Sequence, residues 1–288
     1  MVAAGEGVIL VTGATGQQGG AVAAELLGRG HRVRAMTRKP ESAKAKDLQR
    51  RGAEVVSGDL DDAGSLERAL RGVWGVFAVQ NTWEAGVEGE EAQGKRIAEI
   101  ARKTGVQHYV YTSVGSANRK TGIPHFENKW RIEERVRALK FPSYTILRPV
   151  FFMENWTGPW FKPGIDAGKL AVGMQPTTSL QMIAVADIGK YGLAAFERAE
   201  AMNGREIEIA GASHTMPDTA RIFSKAAGRT IVFERVPIEE VRKASADFAA
   251  MLDWFDRVGY CADIAGNAKE FGIPPTTLEA WAARQKWS

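Results

Sequence analysis

The chain has 288 residues, 44% of them hydrophobic and 25% charged, values ordinary for a soluble globular protein and sufficient for one large domain or two smaller ones. Its 38 basic and 34 acidic residues leave a net charge of only +4, and without zinc-finger, homeodomain or RNP-type spacings no direct nucleic-acid binding is expected. The single cysteine, Cys261, precludes an intrachain disulfide, no apolar stretch is long enough to span a bilayer, and the opening MVAAGEGVILV lacks the basic region of a secretory signal, so the expectation is a cytoplasmic protein that does not engage membranes.

Strand-like and helix-like segments alternate along the first half. Strands are expected at Val8–Thr12, Arg32–Met36, Glu54–Ser57, Val76–Val79, His108–Thr112 and Tyr144–Leu147, mostly as continuous apolar runs. Helices are expected between them at Gly19–Leu27, Ser42–Arg51, Ser65–Leu70, Gln93–Lys103 and Glu127–Leu139. This order predicts right-handed βαβ crossovers and a Rossmann-type, doubly wound parallel sheet, buried on both faces. After Pro149 the rhythm breaks, and residues 150–180, with Pro159, Pro163 and Pro176, read as irregular chain. A strand-then-helix pattern resumes at Met182, short strands are expected at Glu206–Ile209 and Thr230–Glu234, and PPTTLEAWAARQ reads as a helix opened by a capping box of Thr276 and Glu279. The expected organisation is a Rossmann lobe over residues 1–152 and a smaller α/β lobe over 153–288, with a segment near 182–198 returning to the first.

The chemistry-bearing motif is VTGATGQQGG, Val11–Gly20. Gly13, Gly16 and Gly19 stand in the first strand-to-helix turn. The first suits a tight turn, the second a close backbone approach to a pyrophosphate, the third close helix–strand packing. The helix N-terminus then offers unpaired N–H groups and the positive dipole end. Gln17 and Gln18 are loop residues able to donate to a phosphate or ribose. At the end of the second strand an acid would accept from ribose hydroxyls; this chain instead has Thr37, Arg38 and Lys39. In isolation Arg38 and Lys39 are an ordinary surface pair, but at this position they favour the 2′-phosphate of NADP(H) over NAD(H). The longer basic run Arg38–Arg51 is either a solvated helix face or the neighbour of an anionic ligand. In GDLDD, Asp59 can accept from an adenine amino group and the Leu60 amide can donate to the ring; Asp61 or Asp62 can open the next helix instead. Cys261 has no His, Lys or CxxC partner beside it in sequence and reads as an inert thiol.

Together VTGATGQQGG, VRAMTRKP, GAEVVSGDLDD, NTWE, YVYTSVGS, HFENKWRIEE, LRPVFFMENW, MIAVADIG and the final TLEAW resemble the NmrA-like family of atypical short-chain dehydrogenase/reductases, which includes an NADPH-sensing member. The resemblance covers nearly the whole chain. It implies an NADP(H) cleft between two lobes. Gly13, Thr15, Gln17, Gln18 and Gly19 would hold the pyrophosphate side, Arg38 and Lys39 the 2′-phosphate, and Asp59 and Leu60 would face adenine. Asn81 would lie near the nicotinamide ribose, Lys129 would reach the ribose hydroxyls, and Phe151 and Asn155 would flank the nicotinamide.

The parent superfamily places an acid tyrosine four residues before the lysine, helped by a serine. Here that pair is His125 and Lys129, on one helix face, with Ser113 at the serine position; Tyr109 and Tyr111 lie in the preceding strand and cannot replace the tyrosine. His125 is a candidate general acid whose neutral ring keeps one N–H to donate, with Lys129 favouring that neutral form; the alternative is that it packs or contacts ligand. Two functions follow. One is an NADPH-dependent reductase of a flat conjugated acceptor, a quinone or enone, with Trp83, Phe151, Phe152, Trp156 and Trp160 forming an apolar pocket or else simply packing. The other is a non-catalytic NADP(H) sensor in which cofactor occupancy orders loops such as Gln80–Glu90 or Gly115–Gly122 and exposes or hides a surface for a regulatory protein partner. No metal site is expected, and the oligomeric state is left open.

Overall fold

The computed structural model describes residues 7–287. The first half is β1 (Val8–Val11), α1 (Gln17–Gly28), β2 (Val33–Thr37), α2 (Ala43–Arg50), β3 (Glu54–Ser57), α3 (Ala63–Ala69), β4 (Val73–Ala78), α4 (Thr82–Lys103), β5 (His108–Thr112), α5 (Pro124–Ala138) and β6 (Ser143–Pro149). The second half is β7 (Phe151–Phe152), α6 (Lys162–Asp166), β8 (Lys169–Val172), β9 (Ser179–Ile183), α7 (Val185–Glu197), β10 (Arg205–Ile209), β11 (Ala212–Thr215), α8 (Met216–Ala227), β12 (Val232–Arg235), α9 (Ile238–Ala244), α10 (Ala246–Arg257), α11 (Ile264–Phe271) and α12 (Leu278–Ala282).

A seven-stranded sheet in the order β10-β6-β5-β4-β1-β2-β3 forms the frame, and every neighbouring pair is parallel. It is the α/β Rossmann-type arrangement expected from the alternating pattern. Because successive strand residues point to opposite faces, the apolar runs feed two cores. Ile9, Val11, Val33, Ala35, Phe77, Val110 and Leu147 join α1 and α7 on one face. Leu10, Met36, Val76, Ala78, Tyr109, Tyr111 and Ile146 join α3, α4 and α5 on the other. α7 lies against α1 with no room for side chains at Gly189 or Gly192, where a Cβ would stand 2.9 Å from the Ala21 carbonyl oxygen and 2.5 Å from Val22 Cγ2.

A third core gathers Phe151, Met153, Trp156, Phe223, Trp254 and Trp281 around two small sheets, β11-β9-β7 and β12-β8. Residues 150–180 are therefore more ordered than their prolines suggest. Pro163 sits in the first turn of α6, where its missing N–H costs nothing, and β8 finds its partner β12 about sixty residues later. The expected capping box of Thr276 and Glu279 does not form: Thr277 caps α12 by accepting from the Ala280 N–H. Thr276 instead donates from both its N–H and its hydroxyl to the buried Asp187 carboxylate. Among the described residues no helix is long and apolar enough to cross a membrane.

Candidate active site

β1 lies between β2 and β4, so the order of connection reverses there, and ligands of open α/β sheets bind in the crevice outside such a reversal. The glycine turn occupies that place. The Thr12 hydroxyl donates to the Val79 carbonyl and accepts from the Val79 N–H, at 2.9 and 2.8 Å, joining the ends of β1 and β4. Gly13 is left-handed, φ +55°, and a Cβ on it would stand 2.8 Å from Val79 Cγ1. The Gly16 N–H closes the turn on the Gly13 carbonyl at 2.8 Å. A Cβ on Gly19 would lie 2.4 Å from the carbonyl oxygens of both Thr12 and Gly13. Gly16 caps α1 without a side chain, and the first turn carries no acid. The helix end thus keeps its positive character toward the crevice. Thr15 borders the turn, half-buried; Gln17 and Gln18 are not loop residues but the first two of α1, Gln17 exposed and the Gln18 amide oxygen accepting from the Thr112 hydroxyl at 2.7 Å, which ties it to β5.

Arg38 follows β2 with an exposed guanidinium, and its Nη2 pairs with Glu84 Oε2 on the turn after β4. The Lys39 side chain is exposed, and its ammonium makes no ion pair among the described residues. Asp59 accepts the Asp61 N–H at 3.0 Å. Asp62 caps α3, so Asp59 is not used as the cap. The Leu60 carbonyl accepts from Arg96 at 2.6 Å.

On the other side of the crevice Asn81 caps α4, accepting the Trp83 N–H at 3.1 Å while its amide donates to Glu84 Oε1 at 3.2 Å. Thr82–Ala85 makes a single turn before Gly86, φ +74° and ψ 171°, interrupts the helix, and the long part of α4 follows. The segment expected as a loop over Gln80–Glu90 is therefore a turn, a break and a helix start. Gly115–Gly122 does form a loop, with a 3-10 turn at Ala117–Arg119.

Lys129 pairs with Glu90, which is wholly buried and also receives the Thr82 hydroxyl and the Asn128 amide. Burial raises the Glu90 carboxyl, but Lys129 and these hydrogen bonds outweigh it and hold the group below its ordinary value. His125 stands one turn earlier on α5. Asp247 of α10 takes both its backbone N–H, at 3.1 Å, and its Nδ1. The N–H that a neutral His125 was expected to keep for a substrate is thus used by Asp247, and Nε2 donates only from the imidazolium. Ser113 follows β5, with its N–H bound to the Leu147 carbonyl at 2.7 Å and its buried hydroxyl unpartnered. Gln80 is 6% exposed, and neither end of its amide has a partner. Tyr109 and Tyr111 are fully buried with unpartnered hydroxyls, and burial pushes both well up.

The five aromatics expected in one pocket are divided. Phe151 and Trp156 are core residues with ring centroids 5.0 Å apart, Phe152 is half-buried, and Trp160 is 80% exposed. Trp83, 64% exposed, lies 5.4 Å from the His125 ring. Asn155 is half-buried in the 3-10 turn Met153–Thr157 beside Phe151. Cys261 is exposed, and the fold brings the Arg119 guanidinium to its sulfur across a long sequence separation. Sequence reasoning missed Glu84, Glu90 and Asp247 as partners of Arg38, Lys129 and His125. Only Glu84 carried a signal, as the acid of NTWE.

Residues 5–282 match the NmrA-like family model, and the chain belongs to that family. It is similar to an NmrA-like family domain-containing protein of Dictyostelium discoideum, 26% identical over 87% of this chain and 88% of that one. A (4-alkanoyl-5-oxo-2,5-dihydrofuran-3-yl)methyl phosphate reductase of Streptomyces griseus is 30% identical over 82% and 80%. Among solved structures the fold matches an NADPH-dependent quinone oxidoreductase of Escherichia coli complexed with NADPH, TM-score 0.80, 23% identity, 96% of this chain and 98% of that one. It also matches the Citrobacter triphenylmethane reductase complexed with NADP(H), TM-score 0.80, 21% identity, 96% and 99%. The negative transcriptional regulator NmrA in complex with NADP matches at TM-score 0.78, 20% identity, 96% and 94%.

Proposed function

We propose that this protein is an NADPH-dependent reductase of a flat conjugated acceptor of the quinone or enone type. The observation that carries the reading is a bare, glycine-lined helix end at the sheet's reversal point with a guanidinium on the adjoining strand end. The residues fit the cofactor: Gly13, Gly16 and Gly19 keep the turn free of side chains, Arg38 and Lys39 supply cations for a 2′-phosphate, and the orphaned Gln80 amide and Ser113 hydroxyl are buried polar groups without protein partners. Buried groups of that kind call for a ligand or water to satisfy them.

Bound NADPH supplies a hydride. Lys129, held by Glu90, would reach the ribose hydroxyls. His125, oriented by Asp247, delivers a proton from Nε2 as the imidazolium. Relatives support the reductase reading: the Streptomyces protein is named for reducing a 5-oxo-2,5-dihydrofuran, and two structural neighbours are named as quinone and triphenylmethane reductases. The second reading, an NADP(H) sensor acting on a protein partner, is favoured by the missing tyrosine and by the engagement of His125 Nδ1 with Asp247.

The test follows NADPH absorbance with a panel of quinones, enones and aldehydes. Steady oxidation that falls by about a hundredfold in His125→Ala or Lys129→Ala supports the assigned roles. Tight NADPH binding without turnover selects the sensor, and turnover unchanged in both variants removes these residues from the chemistry.

A further inference from the structure

We propose that Glu84 is a specificity-determining residue for the cofactor: its carboxylate stands on Arg38 where a 2′-phosphate would, and so sets the preference between NADP(H) and NAD(H). The inference rests on the NADP(H) reading above and deepens it. Glu84 bridges two sides of the crevice, with Oε2 on Arg38 after β2 and Oε1 on Asn81 after β4. Those two strands flank β1, so the bridge spans the connection that leaves β1, the glycine turn itself.

The end of β2 carries no acid of its own, reading Thr37, Arg38, Lys39. Sites for NAD(H) use an acid there to accept from the ribose 2′-hydroxyl. Here an acid reaches the place from another element. A ribose hydroxyl can donate to the Glu84 carboxylate as it stands, whereas a 2′-phosphate must displace it from Arg38 before forming its own charge-assisted bonds. Displacement is local. Gly86 separates the Glu84 turn from the body of α4, and that body is anchored just beyond the break, where Asn128 donates to the Val87 carbonyl at 2.8 Å and to Glu90 at 2.9 Å. The Arg38 and Glu84 side chains are 62% and 56% exposed, and exposed pairs are weak. The bridge therefore lowers NADPH affinity modestly and does not lower NADH affinity.

The experiment is calorimetric titration of wild type, Glu84→Gln, Glu84→Ala, Arg38→Ala and the Arg38→Ala/Glu84→Gln double variant, each with NADPH and with NADH. Glu84→Gln is expected to tighten NADPH by about threefold to fivefold, the scale of an exposed ion pair, with no gain for NADH and no gain for NADPH once Arg38 is gone. An unchanged NADPH-to-NADH ratio in both Glu84 variants, with NADPH weakened in Arg38→Ala, overturns the role of Glu84 and leaves the NADP(H) site standing. A gain that persists without Arg38 overturns it as well. Failure of wild type to take up NADPH at all overturns both this inference and the function it deepens.

Discussion

At Gly19 a single methyl group would meet two carbonyl oxygens at 2.4 Å, and backbone cannot yield as a flexible side chain can. This is why the third glycine of the turn was legible from sequence: its requirement is local, set by residues six and seven positions away. Glu90 and Asp247 were not legible, because they reach Lys129 and His125 only through the fold. The same contrast holds for His108, which reads as an ordinary strand residue. It is 1% exposed in β5, with Nδ1 and the Ser143 hydroxyl 2.8 Å apart, and burial lowers its pKa from 6.5 to about 4. The unfolded chain therefore takes up this proton first. The stabilisation from the neutral folded form is complete above about pH 6.5 and is lost as pH falls toward 4. Replacing the ring by His108→Phe should shift the unfolding free energy in the variant's favour by about 3 kcal/mol between pH 7 and pH 4. Chemical denaturation at the two pH values measures it, and parallel losses in the two proteins would refute it.

Among elements, β3 and β5 coincide with their predicted bounds, since a short β-branched or aromatic run between turn residues has few alternatives. Helix starts were less legible. α4 begins at Thr82 because Asn81 caps it, and the glycine-rich stretch that obscured this contains the break at Gly86. α8 to α11 were missed altogether. α9 buries no residue fully and packs on the third core only through Ile238 and Val241, too short a stripe to read, and α8 opens on Met216 and Pro217 at the end of β11. The expectation that 182–198 returns to the first lobe did not name α1 as the helix that α7 meets, although that packing depends on glycines in plain view. Leucine at Gly192 would force the helices apart where a Cβ already meets Val22 Cγ2 at 2.5 Å. Gly192→Leu is expected to cost about 1–3 kcal/mol, the usual range for overpacking, and to lower NADPH affinity, because α1 begins at the glycine turn. Thermal unfolding and NADPH titration together check this; unaltered values in both would show that the contact does not hold α1 in place.

At the scale of the molecule, the Rossmann-type sheet was readable because alternating segments permit little else. The shape of the crevice was not, because it is made where distant connections meet: the turn after β1, the cations after β2, the bridge after β4, and α5 with its partner on α10. The proposed function depends on these parts acting as one anion-binding surface for a phosphorylated adenosine. The most direct measurement is the titration of wild type and Arg38→Ala with NADPH and NADH side by side. Loss of a charge-assisted bond predicts saturable NADPH uptake that weakens about tenfold or more in the variant, with NADH little changed. Equal weakening of both, or no uptake of NADPH by folded wild type, would contradict the account.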